Sequence, residues 1–472
     1  MTTVSRWLFA VGFGFLVLPT LASQAQILSD SSTVFIRSIE IDGNRRTKPF
    51  IITRQLTFAQ GDTVSSNRLP HEFEISRQNL LNISLFTDAS IEISKRLSDS
   101  VDVHVHVYER WYTLPGITFE IYDRNFNTWW VEHDRDPKRI QYGIRFLQQN
   151  VRGRDEDLTL TALFGYAQRF GVGYNFPYIN KKMNKGLRLS AFLAQQRNIA
   201  YDNRYNKERF YLDQNQFVRR TYSVAAELSF KPKFHFSQQF AAGYANTTIN
   251  DTIAKLNPDY FGNGDATQQN ITLRSSTIYD TRDWVAYPFK GYYLEGTIIK
   301  TGIGLLSDND LLSFVGIYQH YYKLGKRFFT SYQLKGIYSL PTRQPYYNVT
   351  GLGFRGDYVS SYEYYVVNGN AFALTKVQLK YRLFTFNVPV MQLLRKQDVK
   401  IPIHVLAKTF ADAGYVVDNS NALEKNLLAN SWMTGGGVGI DVATAYDFAV
   451  KFEYSINRKG EKGLFLHFSG SF

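Results

Sequence analysis

The sequence contains no cysteine among its 472 residues. Disulfide bonds, thiol nucleophiles and zinc sites built on thiolates are therefore excluded. Beyond the first 25 residues it has no apolar run of about 18 residues, the length that a membrane-spanning helix requires. The motifs G-x-S-x-G and H-E-x-x-H are missing, and the eight histidines are scattered. These absences predict a protein that is not an enzyme and that uses no cofactor or metal.

The N-terminus has the features of a secretory signal peptide over residues 1–25. Arg6 precedes an unbroken apolar run from Trp7 to Leu18, and Ala25 suits cleavage after it. The run is too short to span a bilayer comfortably as a helix. We therefore expect an exported protein that either is soluble outside the inner membrane or crosses a membrane as a β-barrel.

Aromatic residues are abundant, at 16% of the chain, with 36 Phe and 32 Tyr. Both residue types favour β-strands. The formal net charge is +13, but the Lys and Arg residues are spread along the chain without a basic run. This distribution is typical of a solvated basic surface, so no nucleic-acid partner is expected.

Residues 34–110 have the pattern of a small α+β domain. A strand ends at Asp42-Gly43, helices are predicted over 47–56 and 65–82, and two strands follow at 84–94 and 100–109. His104 and His106 share one face of the last strand, but no third ligand is near in sequence, which favours a solvated sheet face over a metal site. The order β-α-α-β-β resembles a polypeptide-transport-associated (POTRA) domain. Such a domain is expected to bind unfolded clients by adding a client strand to its sheet edge.

Residues 112–472 contain sixteen alternating segments separated by polar turns. In one of them Phe448, Val450 and Phe452 share a face, opposite Lys451 and Glu453. A soluble sandwich would show similar alternation. The aromatic content, the leader and the C-terminal aromatic residue favour an all-β, 16-stranded antiparallel transmembrane β-barrel, with apolar residues toward lipid and charges toward a wet lumen.

The segment "IYDTRDWVAYPFKGYYLEG" (278–296) contains residues suited to a tight periplasmic turn. The turn would be clamped by carboxylates and a guanidinium and bent at residues that interrupt pairing: Asp280, Arg282, Asp283, Pro288 and Gly291. Together with "FADAGYV" and the terminal "LFLHFSGSF", the segment resembles the surface-antigen superfamily of outer-membrane assembly and secretion barrels, of BamA and two-partner transporter type.

The resemblance implies a role for "FRGD", which falls between the eleventh and twelfth strands. In that family an Arg-Gly loop folds into the lumen, and its Arg contacts acidic groups on the inner wall. Here the motif is Phe354, Arg355 and Gly356. Asp357 departs from the pattern, because the family usually has an aromatic residue after the motif and here the aromatic residue precedes the Arg.

The alternation of the last strands suggests partners for this loop. Asp412, Asp441 and Glu453 fall on lumen faces of strands thirteen to fifteen. A guanidinium in a partly dry lumen requires a carboxylate. We predict that Arg355 pairs with Asp412 or a near neighbour; the alternative is an exposed loop cation.

The resemblance also implies a lateral gate between the first and last strands. The candidate edges run from Leu114 to Ile121 and from Gly463 to Phe472, and the glycines Gly463 and Gly470 would weaken closure. A protein of this kind is expected in the bacterial outer membrane, with its POTRA domain in the periplasm.

Two functions remain open, and a third serves as a control that would need neither a POTRA domain nor the Arg-Gly loop. The first is an insertase that assembles outer-membrane proteins, the second is a dedicated two-partner-type secretion pore for one exported protein, and the third is a passive porin. The expected partners are unfolded outer-membrane or secreted client proteins, the lipid bilayer, lipopolysaccharide and accessory periplasmic proteins.

Overall fold

The computed structural model describes residues 33–354, 356–389, 400–419, 426–444 and 448–470. Three features expected from the sequence lie outside these ranges: the signal peptide at 1–25, Arg355 and Phe472.

The N-terminal region is a four-stranded sheet covered by two helices. Its elements in chain order are β1 (Thr33–Asp42), α1 (Pro49–Thr53), β2 (Thr63–Ser65), α2 (Leu69–Asn82), β3 (Phe86–Arg96) and β4 (Ser100–Glu109). The sheet order is β2-β1-β4-β3, with β1 and β4 parallel and the other pairs antiparallel. The alternation predicted for β4 holds, because Val101, Val103, Val105 and Val107 are all at most 1% exposed.

The helix boundaries differ from those predicted. The helix expected from residue 65 begins at Leu69, because Thr63–Ser65 adds antiparallel to β1 as a short strand. Pro70 then lies in the first turn of α2, where a missing backbone N–H costs nothing. The helix expected over 47–56 is shorter, from Pro49 to Thr53.

The rest of the described chain is dominated by strands. They are β5 (Thr113–Ile121), β6 (Ile140–Val151), β7 (Glu156–Gly165), β8 (Ala167–Phe176), β9 (Lys185–Gln196), β10 (Asn198–Arg204), β11 (Lys207–Leu212), β12 (Arg219–Lys233), β13 (Phe236–Ile249), β14 (Thr267–Asp280), β15 (Gly291–Thr301), β16 (Leu311–Lys323), β17 (Phe328–Leu340), β18 (Thr350–Leu352), β19 (Val367–Gly369), β20 (Ala371–Pro389), β21 (Lys400–Val417), β22 (Met433–Thr444), β23 (Phe448–Asn457) and β24 (Lys462–Gly470).

Sixteen of these strands form one antiparallel sheet from β5 to β24, each paired with its neighbour in sequence, as the alternating pattern predicts. The hairpins β10–β11 and β18–β19 stand apart as separate two-stranded sheets. Two short helices also lie in connections, α3 (Phe126–Val131) between β5 and β6 and α4 (Asp251–Leu256) between β13 and β14. The sequence patterns did not predict these four elements.

The two faces of the sheet differ in chemistry. Apolar side chains such as Val224, Leu228 and Phe240 are more than half exposed on the outer face, whereas Lys408 and Asp441 on the other face are buried. This arrangement is typical of a barrel with an apolar exterior and a polar interior. No helix in the described part of the chain has the length and apolar character needed to cross a membrane.

The small N-terminal region is docked on turns of the large sheet. Asn150 donates its side-chain amide to Thr47 Oγ1 at 2.8 Å, and Lys48 N donates to Gly153 O at 2.9 Å. The guanidinium of Arg54 also reaches the next turn along the sheet, between β8 and β9. These contacts set the small sheet at the β6–β7 end of the barrel.

Candidate functional site

The long connection between β17 and β20 is an ordered, packed loop. β18 and β19 pair antiparallel and form its neck. Beyond the neck, Val359 and Tyr362 are 1% and 4% exposed and belong to an apolar cluster with residues of the sheet, namely Phe372, Leu374, Val416 and Met433. Val359 and Tyr362 therefore form part of a buried packing surface between the loop and the sheet.

The neck depends on a glycine. Gly353 has φ of +100°, and a Cβ at this position would lie 2.1 Å from the carbonyl oxygen of Tyr365. A larger residue would strain the backbone and push the two sides of the neck apart.

The tip of the loop carries the predicted motif. Phe354 and Asp357 form an isolated bridge in which Asp357 N donates to Phe354 O at 2.8 Å, and Gly356 between them has φ of +88°. The carboxylate of Asp357 accepts hydrogen bonds from Lys335 Nζ, on β17, at 2.9 and 2.7 Å. The residue that departs from the family pattern thus forms its own ion pair with the wall.

Asp412, the predicted partner of Arg355, contacts a different loop residue. Its Oδ2 accepts hydrogen bonds from both the backbone N–H and the hydroxyl of Ser360. Lys376 Nζ lies 3.9 Å from the same oxygen. Arg355 is outside the described residues, so its pairing with Asp412 stays a prediction.

The other two predicted wall carboxylates share a lysine. Lys408 Nζ lies 2.7 Å from Asp441 Oδ1 and also pairs with Glu453. The side chain of Lys408 is fully buried. The hydroxyl of Tyr287 donates to Asp441 Oδ2 at 2.6 Å. These two carboxylates therefore share one buried cation within the wall.

The loop also contacts the last strand. Tyr358 stacks on His467 of β24, and its hydroxyl lies 2.9 Å from His467 Nδ1. His467 Nε2 is 3.4 Å from Glu453 and 3.6 Å from Glu363, a loop carboxylate with no exposed surface. A polar cavity of about 480 Å³ remains between the loop and the wall beside these residues.

The predicted turn motif forms a tight clamp. Arg282 Nη2 lies 2.7 Å from Asp280 Oδ2, and Asp283 Oδ1 accepts the backbone N–H groups of residues 289 and 290. Gly291 has φ of +108°, and a Cβ there would lie 2.2 Å from Thr281 O.

Pro288 lies in the same connection, outside the strands. The aromatic residues around it turn inward, where Trp284, Tyr287 and Phe289 pack with Phe329 of β17. The turn therefore reaches the lumen wall through Tyr287 and Asp441.

The terminal strands of the sheet, which hold the predicted gate residues, share no ladder in the described part of the chain. Leu114 and Ile121 lie on β5, whose outer edge has no strand partner within the described residues. On β24, Gly463 and Gly470 pair with Ser455 and Phe448 of β23. The same strand is contacted on its free edge by α3, through Asn127.

Several contacting residues were not identified from the sequence. Lys408 could have been identified from the sequence. It lies four residues before Asp412 on β21, so both side chains point to the same face of the strand. Lys335, Ser360 and Asn127 had none, because their roles arise from contacts between segments far apart in the chain.

Comparison with known proteins agrees with this architecture. The Omp85 superfamily domain matches residues 150–471, and the POTRA family, described as surface antigen variable number repeat, matches residues 34–110. No curated protein sequence matches the chain.

Solved structures that share the fold include BamA and CdiB. BamA from Haemophilus ducreyi lacking POTRA domains 1–3 is 15% identical with a TM-score of 0.54, and the match covers 92% of this chain and 84% of that one. CdiB from Escherichia coli is 9% identical with a TM-score of 0.52, covering 96% and 93%. With a POTRA-like region followed by a 16-stranded antiparallel barrel, the chain belongs to the Omp85 superfamily.

Proposed function

We propose that this protein acts in the outer membrane as a factor that assembles client proteins into the membrane or translocates them across it. Its POTRA domain would lie in the periplasm and capture client strands. In the small sheet β3 is an edge strand, so its outer backbone groups offer a site for strand addition. Function in this proposal rests on backbone pairing and involves no enzymatic step.

The observation that carries the proposal is the seam between β5 and β24, which share no backbone pairing within the described residues. A strand at a sheet edge presents backbone N–H and C=O groups that pair readily with another strand. Leu464 and Phe468 on β24 are 79% and 54% exposed on the lipid-facing side. A client strand added there would continue the outer apolar surface of the barrel.

The loop at 351–369 would restrain the gate. It contacts the wall through Asp412 and the last strand through His467. In the proposal, Arg355 adds a cationic contact at the tip, and release of the loop accompanies opening. The turn from Asp280 to Gly291 would fix the connection between β14 and β15, at the end of the barrel opposite the loop.

A dedicated two-partner-type secretion pore is the alternative. The shared fold with CdiB, which extends over nearly the whole of both chains, is the observation that favours it. The loop itself occupies the lumen, since Val359 and Tyr362 pack against Phe372, Leu374, Val416 and Met433 of the sheet. A secretion pore would therefore need the loop to leave the lumen.

Depletion of the protein followed by quantitative outer-membrane and secretome proteomics separates these functions. An assembly factor predicts broad loss of β-barrel proteins, whereas a dedicated pore predicts loss of one exported protein. An unchanged proteome and secretome would contradict both.

A further inference from the structure

At one point on the free edge of β24, the side chain of Asn127 makes the hydrogen bonds that a neighbouring strand would make. Asn127 Oδ1 accepts from Leu466 N at 2.9 Å, and Asn127 Nδ2 donates to Leu466 O at 3.3 Å. Two residues of adjacent antiparallel strands exchange the same pair of bonds when they form a hydrogen-bonded pair. A carboxamide has the donor and the acceptor needed to replace the missing residue.

The replacement is built into the fold. Asn127 is 4% exposed and lies in α3, whose N-terminus is capped by the side chain of Asn125 accepting from Thr128 N. Phe126 of the same helix packs edge to face on Phe468 of β24, with ring centroids 6.0 Å apart. The helix therefore meets β24 through both a polar and an aromatic contact.

The same segment is fixed to the lumen loop. Asn125 Nδ2 donates to the carbonyl of Glu363 at 3.0 Å, and Thr128 Oγ1 donates to it at 3.4 Å. Arg124 donates to carbonyls on both sides of the neck, Gly353 and Tyr365, at 3.3 and 3.2 Å. A loop that moved away would therefore withdraw these anchors from α3.

We propose that α3 is an internal cap on the edge of β24, which an incoming β-strand must displace. This inference rests on the proposed function and specifies its partner. The displacing strand would bear apolar residues on the side continuous with Leu464 and Phe468 and polar residues on the side of His467, since β24 itself alternates in this way.

The absence of cysteine from the chain allows a direct test. The parent variant is Leu464→Cys in the full-length protein, purified in detergent. The probe is a synthetic peptide that copies β23, the natural partner of β24, with cysteine in place of its Tyr454; Leu464 and Tyr454 are directly paired in the native ladder. With copper–phenanthroline and dissolved oxygen as the oxidant, disulfide formation between peptide and protein reports pairing at the edge.

Adding Asn127→Ala to the parent should raise the cross-linking yield about tenfold, because two competing hydrogen bonds are lost. Asn127→Asp, which retains the acceptor for Leu466 N–H, should give an intermediate yield. Val131→Ala, on the exposed side of the same helix, should match the parent. Reaction with oxidised glutathione checks the reactivity of the cysteine in every variant, and the shift of the folded band on unheated gels checks folding.

Equal yields with and without Asn127 would overturn the cap, whether both are high or both are zero. The proposed function is tested separately by depletion. Unchanged cross-linking together with broad loss of barrels would reject the cap alone. Raised cross-linking with an unchanged proteome and secretome would reject the proposed function and leave the cap standing.

Discussion

Lys335 on β17 donates two hydrogen bonds to Asp357 at the loop tip, with Nζ to carboxylate distances of 2.9 and 2.7 Å. The two side chains are 19% and 21% exposed. The loop is therefore held at its tip by an ion pair with the cation on the wall and the anion on the loop. An Arg-Gly motif predicts the opposite, a cation on the loop and an anion on the wall. The ion pair between Lys335 and Asp357 involves neither Arg355 nor its predicted partner Asp412.

Lys335→Ala should loosen the loop, because it leaves the carboxylate of Asp357 without its cation. The pair is partly exposed, so the expected loss is roughly 1 kcal/mol. Hydrogen exchange over residues 353–366 measures it. The exchanged pair Lys335→Asp with Asp357→Lys should recover part of the protection. Unchanged exchange in the single variant would show that the pair does not anchor the loop.

Arg355→Ala should reduce activity or barrel stability if Arg355 pairs with Asp412. Asp412→Asn should then cause a similar loss, and the double variant should lose little more, because the two changes remove one interaction. Arg343→Ala, at an exposed position just before the neck, is the control. Activity and the thermal unfolding midpoint are the measurements. Wild-type values for both in Arg355→Ala would refute the tether.

Tyr287→Phe should destabilise the barrel. It removes a buried hydroxyl that donates to Asp441 at 2.6 Å and leaves that carboxylate with one fewer donor. The expected cost is about 1–3 kcal/mol, measured by urea unfolding in detergent. Tyr222→Phe, on the exposed outer face, should behave like wild type. Equal destabilisation by both changes would mean that the hydrogen bond from Tyr287 to Asp441 does not contribute to the free energy of unfolding.

The turn between β6 and β7 should lose stability as pH rises. Withdrawal from water, reinforced by Asp157, raises the pKa of Asp155, in the turn between β6 and β7, from its ordinary 3.8 to about 8. The folded state thus favours the neutral carboxyl. The stability that this group contributes is complete below pH 4 and is lost progressively up to about pH 8.

Between pH 6 and 9 the loss should amount to roughly 2–3 kcal/mol. Hydrogen exchange in the turn at 150–157 measures it at both pH values. Asp155→Asn should remove most of this dependence, because its side chain does not ionise. An equally steep dependence in that variant would assign the effect to another group.

Much of the fold follows from local patterns. Alternation along each strand located all sixteen barrel strands, because side-chain direction in a strand depends only on sequence parity. The turn at Asp280 to Gly291 was recognised from its resemblance to the surface-antigen superfamily, and its contacts join residues only a few positions apart.

Contacts between distant segments were not predictable in this way. Nothing near Asn127 in the sequence indicates that its amide will meet the backbone of Leu466, which is 339 residues away. Nor does the sequence around Ser360 reveal that Ser360 donates hydrogen bonds to the carboxylate of Asp412. Such pairings depend on how loops fold into the barrel, and residue parity carries no information about loops.

Site-specific photo-cross-linking in cells tests most directly whether clients meet the protein at the edge of β24. A photoreactive amino acid replaces Leu464, which is 79% exposed on β24, or as a matched control Phe240, which is 54% exposed in the middle of the sheet on β13. Proteins cross-linked during client synthesis are identified by mass spectrometry. We predict unfolded outer-membrane or exported proteins at position 464 and none at position 240. Equal client cross-linking at both positions, or none at 464 while clients are being made, would contradict the lateral edge as the site of function.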